Sequence, residues 1–186
     1  MPHVKIIGVD AQGSAIFGGN MHSYRIPGIG LAWTPDNLKL KNIDYAFKVT
    51  DEDAFVTARS LAKNEGILMG ASSGACTLVA LHFAQKLSSD KRIVCMIADG
   101  GERYIQTVFN DEWMQRQEFS TETGIEFIRN KAKNLIPWST CPEKQSNYRT
   151  DLSELLNIPE TTKLTNKEKD NELFNEKLSK QITFID

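Results

Sequence analysis

Three stretches of this 186-residue chain carry residues whose types and spacing could serve a ligand, and the first suits the close approach of a flat one. The first runs from Gly66 to Cys76, GILMGASSGAC, and reads as a short buried strand, a tight turn of small residues and a helix from about Ser73 to Leu87. A helix N-terminus exposes unpaired N–H groups and a partial positive charge. The glycines let the backbone approach a ligand closely, and Ser72 offers a hydroxyl at the mouth of the turn. An ordinary βα turn with a serine cap accounts for the same residues and is the simpler reading of this stretch alone. The second stretch is Gly28-Ile29-Gly30, inside Tyr24 to Leu31, YRIPGIGL. It contains G-x-G, but Trp33 stands where a dinucleotide fingerprint needs its third Gly and no helix follows, so that fingerprint is excluded. The third is Asp99-Gly100-Gly101-Glu102-Arg103-Tyr104, at the carboxyl end of an apolar strand, the edge where open α/β sheets place ligands. A plain turn residue is the competing reading of Asp99. His82 has no second His or carboxylate at metal spacing, so it reads as a structural histidine.

The elements that must position these residues follow from the pattern. Val4 to Asp10 predicts a strand. Residues 11 to 41 form a long loop punctuated by glycine and proline, and long glycine-rich loops in compact domains are often functional. Ile43 to Val49 predicts a second strand. Thr50 then caps a helix whose first turn holds Asp51, Glu52 and Asp53, and Gly66 ends it. Ala54, Phe55, Ala58, Leu61 and Ala62 make its core stripe. In the next helix Ala75, Leu78, Val79 and Phe83 face the core. Arg92 to Ala98 reads as a buried parallel strand. Ile125, Phe127, Ile128 and Leu135 suit one further helix. Beyond Pro142 the chain turns polar, with one short amphipathic pattern at Leu173, Phe174 and Leu178 or a disordered stretch expected.

Composition bounds the class. Hydrophobic residues make up 40% and charged residues 25%, as expected of a globular chain with one full core. The net charge of −2 provides no field for nucleic acid. No apolar run approaches bilayer length, so no membrane association is expected. Cys76, Cys95 and Cys141 are far apart and odd in number, which predicts neither a disulfide framework nor a zinc site. With no signal-peptide pattern at the start, a cytoplasmic location is expected.

Four ordered stretches together resemble one family. VKIIGVDAQGS, IPGIG with PDNL, VTDEDAFVTARSLAKNEGILMGASSGA and DGGERYIQTVFNDEWM follow the order found in the C-terminal half of the cysteine synthase and cystathionine β-synthase family. The resemblance covers about Val4 to Met114. It implies an α/β fold of the tryptophan synthase β type, a three-layer sandwich with a mainly parallel sheet. Residues 1–118 would form the C-terminal part of that enzyme domain and residues 119–186 a polar, partly helical or disordered extension.

The resemblance implies pyridoxal 5′-phosphate as cofactor. It gives Ser72 the role of hydrogen-bonding the pyridine nitrogen, Gly28, Ile29 and Gly30 that of a backbone wall beside the cofactor, and Asp99 a place near the nitrogen edge. A hydroxyl cannot protonate that nitrogen as a carboxylate would, so the ring is a milder electron sink suited to β-elimination. The activity implied is β-replacement on an activated serine, with a small amino acid as substrate, as in cysteine biosynthesis.

Two departures stand beside this. The family's Schiff-base lysine, its substrate-carboxylate loop and its Gly/Thr-rich phosphate cup have no counterpart here, so the chain reads as half an enzyme. It is expected to lack catalysis alone and to join a complementing N-terminal half or a homo-oligomer through the surface around residues 4 to 9 and 28 to 33. Leu31 stands where many cystathionine β-synthases carry Tyr, and the run Gly13 to Gly19 with Ile26-Pro27-Gly28 looks more like the branch making diaminopropionate precursors for siderophores. A non-catalytic, partner-binding or vestigial module is the alternative of another class.

Overall fold

Caps and glycines set the helix ends before packing is considered. The computed structural model describes residues 4–138 and the strand Ile182–Ile185. Helix α1 spans Asp51–Glu65, with the Thr50 hydroxyl accepting from Asp53 N and Gly66 in the left-handed conformation at φ 71°. Both ends fall where capping chemistry puts them. Helix α2 spans Ala71–Ala84 and buries every residue except Cys76. Apolar character all round is the mark of a helix enclosed by its neighbours.

Strand β1, Ile7–Ala11, lies parallel to β2, Tyr45–Val49, in the register Ile7↔Tyr45 to Ala11↔Val49. Strand β3, Ile93–Met96, lies parallel to β4, Ile182–Ile185. Parallel pairs interleaved with helices make this an α/β fold. Two short helices follow β3 in sequence, α3 at Asp111–Arg116 and α4 at Ile125–Lys133.

Each strand is shorter than its apolar run, and each shortening has a hydrogen bond behind it. The ladder starts at Ile7 rather than Val4 because Ile6 N–H turns aside to the Asp44 carboxylate at 2.9 Å. Ile43 closes a short 3-10 turn onto Leu40, so β2 begins only at Tyr45. The Ala98 N–H leaves the β3 ladder for the Ser73 hydroxyl at 3.1 Å. The expected strand before α2 reduces to one antiparallel bridge, Met69↔Gly100. Helix α2 starts two residues earlier than its pattern suggests, since Gly74 N already donates to Gly70 O at 3.1 Å.

The core lies between β1–β2 and the α1–α2 pair. Tyr45, Phe47, Phe55, Leu78 and Phe83 fill it, and Phe47 meets Phe83 edge-on with centroids 5.6 Å apart. Burying such a side chain is worth about 1.5–3 kcal/mol. Gly74 lets α2 approach α1 closely: a Cβ there would lie 2.2 Å from the Ala54 carbonyl oxygen. Helix α4 closes one side with Ile128 and Ala132, and the Ala132 carbonyl bonds His82 Nδ1 at 2.7 Å. His82 is fully buried, and burial pushes its pKa down. The other face of β3 is open, with Val94 and Met96 55% and 59% exposed. None of the described helices is long and apolar enough to cross a membrane.

Candidate ring-binding site

The N-terminus of α2 is assembled by two loops knitted together. Gly70 N donates to Asp99 O at 2.9 Å, and Gly101 N donates to Leu68 O at 3.2 Å. Gly70 is the helix cap, extended at φ −69° and ψ 167°, and no side chain caps the helix. A side chain at position 70 would displace the Asp99 carboxylate, since its Cβ would meet Asp99 Oδ1. The serine cap expected from the sequence is therefore replaced by a glycine, and Ser73 has other work. It is 1% exposed and its hydroxyl holds the end of β3 through Ala98 N.

Ser72 is 5% exposed, and no described residue hydrogen-bonds its hydroxyl. The hydroxyl faces Gly28, where a built Cβ would lie 3.9 Å from Ser72 Oγ. Gly28 and Gly30 both have left-handed backbones, at φ 83° and 88°. A Cβ on Gly30 would also strike the Tyr24 hydroxyl, 2.4 Å away. These two glycines therefore present bare backbone, with the half-buried Ile29 between them.

Asp99 lies against Gly70. The Tyr104 hydroxyl donates to its Oδ2 at 2.6 Å, and its Oδ1 is buried without a partner. The hydrogen bond to Asp99 is the chief reason that the Tyr104 phenol is pushed up to about 12. Tyr104 therefore keeps its proton and acts as a fixed donor. The structure brings Ser72 and Gly28 close together, and Asp99 is bonded through its carbonyl to Gly70, two residues before Ser72.

The glycine wall is held by residues the sequence did not single out. Both oxygens of the Asp51 carboxylate accept from Arg25 N at 2.8 Å, and one also accepts from Ile26 N at 3.0 Å. Ser14 latches the loop shut, its hydroxyl donating to Leu31 O at 3.1 Å and accepting from Leu31 N at 3.0 Å. The Lys48 ammonium donates to Ser14 O at 2.6 Å and Gly18 O at 2.7 Å. Its register partner Asp10 is 1% exposed, and burial pushes the Asp10 pKa up and the Lys48 pKa down. Asp51 was legible only as a first-turn acid, and nothing local marks its reach across 25 residues to Ile26.

Other chemistries are disfavoured by the same geometry. Burial pushes the Cys76 thiol up to about 12 and also raises Cys95, so both stay protonated. Among the described residues no group of three His, Cys, Asp or Glu side chains is arranged to hold a metal.

Residues 1–99 match the family model described as pyridoxal-phosphate dependent enzyme. Among curated proteins, the chain is 37% identical over 123 residues to an N-(2-amino-2-carboxyethyl)-L-glutamate synthase of Ralstonia nicotianae, covering 66% of this chain and 36% of that protein. It is 41% identical over 107 residues to a probable cysteine synthase of Bacillus subtilis, covering 57% and 34%. A solved cysteine synthase from Entamoeba histolytica superposes with a TM-score of 0.59 at 32% identity, covering 70% of this chain and 37% of that one. An O-acetylserine dependent cystathionine beta-synthase from Helicobacter pylori gives 0.52 at 35% identity, covering 57% and 35%. The chain spans about a third of the length of these curated relatives.

Proposed function

We propose, for a chain that belongs to the pyridoxal-phosphate dependent enzyme family, that Ser72 and the Gly28–Gly30 backbone meet the pyridine ring of pyridoxal 5′-phosphate in a β-replacement enzyme acting on an activated serine. The observation that carries this is Ser72: the residue is 5% exposed, its hydroxyl lacks a partner among the described residues, and that hydroxyl faces the Gly28 backbone. A serine hydroxyl without a protein partner in the first turn of a helix is available to accept or donate to a ligand atom. The bound cofactor supplies an electron sink for bond changes at the amino acid's β carbon.

The residues of this chain bind and orient. Ser72 donates its hydroxyl proton to the ring nitrogen without transferring it. Gly28, Ile29 and Gly30 form the wall along the ring. Asp99, fixed by Tyr104, lies against Gly70. The residues present thus fit the ring end of the cofactor. The groups that would hold its aldehyde and phosphate are proposed to come from a complementing polypeptide corresponding to the part of the relatives that this chain does not span.

The test is a titration of the purified chain with pyridoxal 5′-phosphate, alone and mixed with such a polypeptide, comparing wild type with Ser72→Ala. Binding that weakens in the variant supports the reading, and binding indifferent to Ser72 overturns it. A second reading is favoured by one observation, the 37% identity over 123 residues with a carbon–nitrogen-bond-forming synthase. Product analysis of the complemented enzyme with sulfide and with glutamate as nucleophiles separates the two.

A further inference from the structure

Trp138 lies well beyond the residues that match the family model, yet it reaches back to the loop that carries the glycine wall. Its backbone N–H donates to Ala46 O at 2.8 Å, which pins it beside β2. Its indole N–H donates to Phe17 O at 3.2 Å. The Lys48 ammonium sits over its ring, 4.0 Å from the centroid. A Cβ on Gly19 would lie 2.8 Å from the indole, so the ring occupies the space that any side chain at that position would need.

These contacts form one chain of attachment. The Trp138 ring backs the Lys48 ammonium, and that ammonium holds the carbonyls of Ser14 and Gly18. Ser14 in turn grips both backbone groups of Leu31, one residue past Gly30. A half-desolvated ammonium has few other ways to be satisfied. Burial lowers the Lys48 pKa against the opposing charge of Asp10, and two carbonyls and an aromatic face meet the ammonium directly. An aromatic side chain beyond residues 1–99 thus supports the cation that holds the loop facing Ser72.

We infer that Trp138 is a positioning residue: it fixes the loop from Gly13 to Leu31 through Lys48 and Phe17, and so sets the glycine wall against the Ser72 hydroxyl. Its loop-fixing role stands on geometry alone, while its effect on a ligand rests on the proposed cofactor reading.

The experiment is amide hydrogen exchange on the full chain without ligand, for wild type, Trp138→Phe and Trp138→Ala. In Trp138→Ala the amides of residues 13–31 should exchange about tenfold faster, with α1 and α2 unchanged. Trp138→Phe keeps a ring over Lys48 but loses the N–H to Phe17, and should show roughly a threefold increase. In a Lys48→Met background, Trp138→Ala should add only about threefold, the share of the bond to Phe17 O, because the link through the ammonium is already gone. Unchanged exchange in residues 13–31, or an equal rise across α1 and α2, would overturn the inference. So would a full additional increase in the Lys48→Met background.

A ligand arm separates this inference from the cofactor reading. Where wild type binds pyridoxal 5′-phosphate, Trp138→Ala should bind it about fivefold more weakly. Equal binding by both proteins counts against Trp138 as a positioning residue. Failure of the wild type to bind, with or without the complementing polypeptide, counts against the cofactor reading and leaves the exchange arm to decide.

Discussion

Ser72 and Ser73 are neighbours on one helix turn, and the structure gives them opposite dependences. Ser73 Oγ accepts from Ala98 N at 3.1 Å inside the protein, whereas the Ser72 hydroxyl has no described partner. Removing the Ser73 hydroxyl leaves Ala98 N unpaired at the end of β3, a loss of about 1 kcal/mol for a part-buried bond. For a domain of this size that is a fall in Tm of about 2–4 °C. Removing the Ser72 hydroxyl breaks nothing in the protein and places a better helix former in the first turn, so Tm should hold or rise slightly. Ligand binding should behave in reverse. Ser72→Ala should weaken pyridoxal 5′-phosphate by about fivefold, the equivalent of one hydrogen bond of roughly 1 kcal/mol, and Ser73→Ala should leave it within about twofold. Thermal unfolding without cofactor and fluorescence titration with it read the two effects separately. A Ser72→Ala protein that loses as much Tm as Ser73→Ala in the absence of cofactor would show that the hydroxyl has a protein partner. Ser72 would then not be a ligand-facing donor.

Gly74→Ala should destabilise by upwards of about 3 kcal/mol, since the new methyl meets the Ala54 carbonyl oxygen at 2.2 Å; urea unfolding should give a lower midpoint at unchanged slope. His82 carries a pKa held below its ordinary 6.5, chiefly by burial, so the unfolded chain takes up the proton first. Stability should therefore be full above pH 6.5 and fall as the pH drops below it, and the His82→Gln protein should lose that dependence in unfolding curves taken across the same range. Glu52 is pushed up by burial but held below its ordinary 4.5 by Lys131 and the Ser120 N–H, so its contribution is present above pH 4.5 and lost on acidification. Lys131→Met should flatten that acid limb; an unaltered acid limb in its denaturation curves would remove the ion pair from the account.

The helices were legible because their signals are local. Thr50, the acidic first turn and Gly66 lie within the element they define, and both ends of α1 fall where these residues put them. The strands were legible as elements but not in extent, because Ile6 and Ala98 give their N–H groups to Asp44 and Ser73, partners that are remote in sequence. The same cause hid the supports of the glycine wall. Lys48 read as one residue of a strand and Asp51 as a dipole partner, and only folding shows that an ammonium takes carbonyls at one end of the loop while a carboxylate takes amides further along. Ser72 and Asp99 were singled out by composition and by family resemblance, but the role of Gly70 as the helix cap was not, since its necessity comes from the Asp99 oxygen lying against it. The pairing of β4 with β3 was missed because a four-residue apolar run carries no mark of its partner. The amphipathic pattern at Leu173, Phe174 and Leu178 lies outside the described residues.

The pairing of β3 with β4 also has a temporal side. Ile93 and its register partner Ile182 are separated by 89 residues of sequence. On a ribosome adding roughly 5–20 residues per second, β3 emerges about 4–18 seconds before the strand that completes it. During that interval its outer backbone groups and the exposed Val94 and Met96 form an unpaired apolar edge, the kind of template that recruits strands from other chains. The thermodynamic burden of the distance is small, because closing a loop grows only logarithmically with its length. The burden is kinetic. Nascent chains stalled between the two strands should be the species that aggregate or engage holdase chaperones, and those released after Ile185 should not.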